Sequence, residues 1–250
     1  MTRLVVRSVV LGIVLAATGL VLAQQAPDVT QIVRDIERNE FRYDDVTYRM
    51  QITLLEGGQT TRQIEFQVYG KGTDKLLIWI TAPGEVAGTA ILQLGARTMY
   101  MYNPEDRSVR LIAASARAQG LLGTDYAAAD ASLVGLGDGW TNTLLETTDA
   151  FYKVQAVPQN GDVSPYSKLV IWYDRAEQKA TKMEYYLDGE LAKTIERSEF
   201  IDRDGYNDIT LVKVINARAD RVTDVRILDA QVNTGLDDRM FTKRSLMLGE

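Results

Sequence analysis

The side chains that most often carry out catalysis are missing from this sequence, which contains no histidine and no cysteine. Without histidine there is no Ser–His–Asp triad, no histidine general base and no histidine metal ligand. Without cysteine there is no thiol nucleophile, no thiolate zinc site and no disulfide. Carboxylate, serine, lysine and tyrosine chemistry remains, but we find no constellation of these residues. We therefore expect neither an enzyme nor a bound metal or cofactor.

Two short segments resemble ligand-binding loops only in part. The segment 135–139 has three glycines but lacks the full spacing and the lysine of a phosphate-binding loop. The segment 202–208 is rich in acidic and amide side chains, as in a calcium loop. An EF-hand-like loop would need glutamate at its twelfth position, where Lys213 stands. We interpret the first segment as a flexible loop and the second as a hairpin turn.

Alternation of apolar and polar residues is the strongest pattern in the chain, and it predicts β-strands with one apolar face. It begins at Val46 and continues through Leu54, and it resumes from Ile64 to Val68. For the two apolar sets to share a face, Ile52 must lie opposite a residue such as Ile64, which requires an odd number of loop residues. We therefore favour a loop of three or five residues over a two-residue Gly-Gly turn.

The rest of the chain extends this pattern into an α+β domain. Apolar residues at helical spacing predict an N-terminal helix over residues 28–39, capped by Asp28 or Thr30. Further strands bring the total to about 11, separated by short turns, which indicates a strongly curved antiparallel half-barrel. Residues 113–140 break the pattern, and we interpret them as an inserted helix–loop lid over the concave face; the alternative is a static surface connection.

A covered concave face predicts an apolar cavity. Hairpin pairing across the Asn-Pro turn at residue 103 should place Tyr102 near Val109 and Tyr100 near Leu111, and we assign both tyrosines to the covered face. The residues predicted to form the cavity wall are Tyr48, Met50, Ile52, Ile64, Phe66, Val68, Ile78, Tyr100, Tyr102 and Leu111. The residues predicted to form the lid are Leu121, Leu122, Leu133, Val134 and Leu136.

The first residues have the organisation of a secretory signal peptide. Arg3 and Arg7 form a positive start, and an apolar run of about 15 residues follows, shorter than the roughly 20 needed to span a bilayer. We predict cleavage after Ala23, with Ala26 as the alternative, and export to the periplasm without a lipid anchor. Residues 1–23 would then be the signal peptide and residues 24–250 one domain.

The charge balance argues against a nucleic-acid partner. The chain has 28 Lys+Arg against 34 Asp+Glu, a formal net charge of −6. Loss of the two leader arginines would lower this to −8. No basic stripe is available to neutralise phosphates.

Three segments, taken in order, resemble the outer-membrane lipoprotein-sorting proteins, a family related to the LolA and LolB lipoprotein carriers. They are an aromatic strand, Asn-Pro turn and returning strand at 99–104 and 109–112; a Gly–small–Asp–aromatic segment at 121–126 with Asp130; and a closing Phe-Thr…Leu segment at 236–246. Together with the alternating strands, the resemblance covers most of residues 24–250.

The resemblance implies a curved antiparallel half-barrel closed by helices, with an apolar cavity for acyl chains of lipoproteins or lipids. It implies a periplasmic carrier that ferries this cargo toward the outer membrane, with an inner-membrane exporter of the resistance–nodulation–division (RND) type as a partner. We expect the protein to be a monomer. The alternative is a periplasmic sensor or accessory domain that binds a lipoprotein or a protein partner and transfers nothing.

Overall fold

The computed structural model describes residues 27–40, 42–95, 98–113, 116–130, 135–160, 163–203 and 206–248. The predicted signal peptide lies outside these residues. The first element, α1 (Val29–Glu40), begins where the Asp28 side chain accepts a hydrogen bond from the Thr30 N–H at 2.9 Å, so Asp28 is the cap. The apolar side of α1 is buried through Ile32, Val33 and Ile36.

The strands of the described chain form one antiparallel sheet of 13 strands, in the order β6-β5-β4-β3-β2-β1-β13-β12-β11-β10-β9-β8-β7. The sheet is not closed, because β6 and β7 are its two edges. The strands are β1 (Asp45–Glu56), β2 (Gln59–Lys71), β3 (Lys75–Ala82), β4 (Ala90–Leu94), β5 (Thr98–Asn103), β6 (Ser108–Leu111), β7 (Trp140–Thr147), β8 (Phe151–Pro158), β9 (Lys168–Asp174), β10 (Lys179–Leu187), β11 (Glu190–Arg203), β12 (Tyr206–Asn216) and β13 (Arg221–Val232).

The predicted count of about 11 strands is therefore too low. The sequence pattern misses β7, an edge strand whose half-buried side carries Trp140, Asn142 and Leu144 while Leu145 is exposed. Asn142 is a polar residue on the half-buried side and Leu145 an apolar residue on the exposed side, so the strand lacks the regular alternation of apolar and polar residues.

The hairpin between β1 and β2 reaches the predicted register by another route. Ile52 does pair with Ile64, but the turn has only two residues, because Glu56 pairs directly with Gln59. The parity is restored by a bulge, since Leu54 pairs with Arg62 and Leu55 with Thr60. The predicted three- or five-residue loop is therefore wrong, but the prediction that the apolar residues of β1 and β2 share one face of the sheet is right.

One face of the sheet, which we call the inner face, carries the main core. Its apolar positions follow from strand to strand: Val212 pairs with Val225, Val225 with Ile52, and Ile52 with Ile64. At the β7–β12 end this face packs against α1. At the β1–β4 end it packs against Leu121, Leu122 and Tyr126.

The opposite, outer face is covered where β3 to β6 lie. Phe241 and Leu246, from the C-terminal segment that contains α2 (Lys243–Leu248), pack there on Leu77, Leu92 and other apolar residues. No helix within the described ranges is long and apolar enough to cross a membrane.

In the covering segment, residues 116–130, Leu121–Gly123 and Ala128–Asp130 are short 3₁₀ turns of three residues each. Its end is held by a buried ion pair, with 2.5 Å between the Lys193 ammonium and the Asp130 carboxylate. Asp130 also accepts hydrogen bonds from the Tyr166 hydroxyl at 2.6 Å and the Ala127 N–H at 2.7 Å. Burial, then the Asp130 charge, raise the pKa of Tyr166, so this tyrosine stays a donor.

The middle of the covering segment is bonded to strand side chains. Arg62 donates to the Leu122 carbonyl at 2.6 Å, and Arg221 donates to the Gly123 carbonyl at 2.5 Å. Asn216 donates to the Asp125 carboxylate at 2.7 Å. These bonds attach the middle of the covering segment to β2, β12 and β13.

A buried carboxylate, Asp45, joins the start of β1 to residues 234–236 beyond β13; we call this set of bonds the Asp45 clamp. The buried Asp45 carboxylate accepts hydrogen bonds from the N–H groups of Thr234, Gly235 and Leu236, at 2.8 to 3.1 Å, and from the Thr234 hydroxyl at 3.0 Å. Burial opposes ionisation, but these donors hold the pKa of Asp45 below its usual value. The clamp directs residues 233–236 back toward the outer face.

We expect Lys193→Met to destabilise the fold by about 3–5 kcal/mol, because it leaves the buried Asp130 carboxylate without its cation. The matched control is Lys213→Met, which removes the partly exposed pair with Asp224 and should cost about 0–1 kcal/mol. Urea unfolding followed by circular dichroism measures both. Equal losses in the two variants would contradict a special role for the buried pair.

Asp45 should make the fold sensitive to acid. Because its pKa is lower in the folded protein, the carboxylate stabilises the fold fully above its unfolded pKa, roughly 3.9, and this contribution is lost as pH falls through the folded pKa. Asp45→Asn should therefore be less stable at pH 7 and lose less stability on acidification below about pH 4. Thermal unfolding at several pH values tests this, and parallel pH profiles would refute it.

Candidate functional site

A cavity of about 230 Å³ lies on the inner face between the sheet and the covering segment. Its apolar wall comes from β1, β2, β3, β12 and β13, and in β1, β2 and β3 the lining residues are alternate positions of the strand. Its cover is formed by Leu121 and Tyr126. The apolar wall consists of Val46, Tyr48, Met50, Ile52, Phe66, Val68, Leu76, Ile78, Ile209, Val212 and Ile227.

The structure brings together most of the predicted wall. Tyr48, Met50, Ile52, Phe66, Val68 and Ile78 line the cavity. Ile64 belongs to the same apolar cluster but is not among the lining residues. We attribute this agreement to strand parity, which sets the facing of every second residue once one is known.

The structure places Tyr100, Tyr102 and Leu111 elsewhere, so their assignment to the cavity wall is wrong. Tyr102 pairs with Val109 and Tyr100 with Leu111, as expected. However, Tyr102 is opposite Ala90 and Tyr100 opposite Leu92, both on the outer face. The two tyrosines are covered by the C-terminal segment, and Leu111 is 64% exposed.

The predicted lid residues are separated. Leu121 lines the cavity, and Leu122 packs against the same apolar cluster. Leu136 is buried instead with Ile32, Val33 and Ile36 in the core under α1, away from the cavity. Leu133 and Val134 lie outside the described residues.

Two tyrosines, Tyr48 and Tyr126, add phenol groups to the lining of the cavity. Burial is the main cause that raises the pKa of Tyr48, followed by the charge of Asp208. Burial also raises the pKa of Tyr126, which packs against both halves of the inner-face core. Both phenols therefore remain neutral at physiological pH and present rings that suit an apolar ligand.

One end of the cavity is polar, where the C-terminus of α1 meets β10, β11 and β12. Arg197 and Glu40 form a largely buried ion pair at 2.7 Å. Asp208 pairs with Arg203 at 3.0 Å and accepts a hydrogen bond from the Tyr43 hydroxyl at 3.1 Å. Lys179, also at this end, donates to the Asn39 carbonyl at 2.8 Å.

Sequence reasoning missed this polar end entirely. Glu40 and Arg197 are 157 residues apart, and Lys179 and Asn39 are 140 apart, so no local spacing reveals either contact. Val212 and Ile227 could have been predicted as lining residues, because both lie at alternating positions of predicted strands.

No group of acidic residues in the described segments has an arrangement that could hold a metal ion.

Comparison with known proteins agrees with this architecture. A family model with the description "-like: Uncharacterized protein" matches residues 72–247, well over half of the chain. No curated protein sequence is significantly similar to this chain.

Solved structures share the fold over nearly their whole length. A domain described as an outer membrane lipoprotein-sorting protein domain, from Vibrio parahaemolyticus, has a TM-score of 0.78 and 21% identity, covering 87% of this chain and 97% of that one. A DUF1329 family protein from Desulfovibrio piger has a TM-score of 0.78 and 22% identity, with the same coverage.

A LolA superfamily protein from Nitrosomonas europaea has a TM-score of 0.74 and 22% identity, covering 88% of this chain and 100% of that one. The resemblance drawn from the three sequence segments is thereby confirmed. The chain belongs to the family of the matching model, and its fold is that of the LolA-like lipoprotein-sorting domains.

Proposed function

We propose that this protein is a periplasmic carrier that binds an acyl chain of a lipoprotein or a lipid in the inner-face cavity. The observation that carries the proposal is the apolar wall of that cavity, which lies under the covering segment and has charged residues at one end. The LolA-like fold supports it. A carrier needs no catalytic group, which agrees with the chemistry left by a chain without histidine or cysteine.

The size of the cavity limits what it can enclose. A methylene group takes up roughly 30 Å³, about the volume of a water molecule in the liquid. A cavity of about 230 Å³ therefore holds about eight methylenes. Their burial would contribute about 6 kcal/mol at about 0.8 kcal/mol each, offset in part by ordering of the chain. A longer chain must displace the covering segment or extend beyond the cavity.

The transport route is a further part of the proposal. The predicted signal peptide would place the protein in the periplasm, and we propose that it carries its cargo toward the outer membrane as a monomer. An inner-membrane RND-type exporter is the partner that the family resemblance suggests. Co-purification of the native protein with such an exporter would test this partner.

The alternative, a sensor that keeps its ligand, is favoured by one observation. The covering segment is fastened by the buried Asp130–Lys193 pair, which would make it costly to open. Movement of a fluorescent lipid between donor and acceptor vesicles separates the two functions. A carrier accelerates this movement, whereas a sensor binds the lipid and does not.

A bulky side chain in the cavity should block binding. Met50 lines the cavity, and the larger ring of Met50→Trp would narrow it without introducing a charge. We expect the affinity for a fluorescent fatty-acyl probe to fall at least tenfold. Titration of wild type should show saturable binding of one probe per protein.

The matched control is Gln51→Trp on the adjacent position, which faces the other side of the sheet and pairs with Glu65 and Arg226. Its affinity should equal that of wild type. If both variants bind the probe as well as wild type, and both are folded by circular dichroism, the ligand does not occupy this cavity.

A further inference from the structure

A buried lysine stands at the polar end of the cavity. Lys179 is only 6% exposed, and its ammonium donates to the backbone carbonyl of Asn39, at 2.8 Å. An ammonium has three donors, and a charged group taken out of water is stable only when it is paired with opposite charge. Burial lowers the pKa of Lys179, more than its carboxylate neighbours raise it.

The carboxylates nearest to Lys179 already have other partners. Glu40 is bound to Arg197, and Asp208 is bound to Arg203 and Tyr43. Within the described parts of the chain, no carboxylate lies at ion-pair distance from the Lys179 ammonium. Arg42 and Arg197 line the same end as Glu40 and Asp208, so this end carries charged groups of both signs.

We propose that the ligand carries an anionic group next to its acyl chain, and that Lys179 binds this group. The inference rests on the proposed function, since it assigns the chemistry of a ligand whose chain fills the apolar part. The shared chemistry is an oxyanion: the carboxylate of a free fatty acid or the phosphate of a lipid headgroup. A charge-assisted hydrogen bond to Lys179 would supply the pairing that the buried ammonium lacks.

The competing role for Lys179 is structural, because an ammonium at the end of α1 also favours the helix dipole. The two roles predict different results. Loss of a helix cap weakens the fold and lowers the affinity for all ligands alike. Loss of an anion site lowers the affinity for anionic ligands and leaves that for neutral ones unchanged.

The test uses three ligands with the same ten-carbon chain: decanoate, decyl phosphate and the neutral 1-decanol. Calorimetric titration of wild type should give at least tenfold tighter binding of one anion than of decanol. Lys179→Met should remove this preference while decanol binds as before. The control is Lys182→Met, on the same strand but exposed, which should keep the preference.

The outcomes separate this inference from the carrier function. Wild type that binds decanol as tightly as both anions overturns the anion site and leaves the carrier function intact. Wild type that binds none of the three overturns both. A Lys179→Met variant that loses all three ligands equally assigns the lysine to the fold. The tighter of the two anions identifies the carboxylate or the phosphate as the natural group.

Discussion

An open sheet has two faces, and each apolar part of each face must be kept from water by something other than the sheet. This constraint organises the whole chain. The inner face is covered at one end by α1 and at the other by the covering segment, while the C-terminal segment covers the outer face. The two inner-face covers come from distant parts of the chain. Between these two covers lies the cavity, whose apolar lining is not filled by side chains of the protein itself.

Strand facing was predictable because it depends on local alternation and on one register. Once Ile52 lies opposite Ile64, the facing of Met50, Phe66 and Val68 follows. The same reasoning failed for Tyr100 and Tyr102. Their pairing with β6 was right, but pairing within a hairpin does not say which of the two sheet faces is the inner one. The deciding contact is with β4, where Ala90 and Leu92 face the C-terminal segment.

The polar contacts that fix the covering and C-terminal segments could not be predicted, because they join residues far apart in the sequence. Asp130 meets Lys193 across 63 residues, and Asp45 meets Leu236 across 191. The alanines of the covering segment indicate close packing against the sheet. They do not reveal that the buried Asp130 carboxylate holds the end of this segment through Lys193. The segment 121–126 with Asp130, on which the family resemblance partly rests, is bonded to the strands through Leu122, Asp125 and Asp130.

The most direct measurement of the central claim is the position of a bound acyl chain. Intermolecular nuclear Overhauser effects between a ten-carbon acyl ligand and selectively labelled methyl groups would locate it. We expect contacts to Met50, Ile52 and Ile78, and none to Leu77 and Leu92, which lie on the same or neighbouring strands but face outward. Contacts to Leu77 and Leu92, with none to the inner-face methyl groups, would contradict the claim.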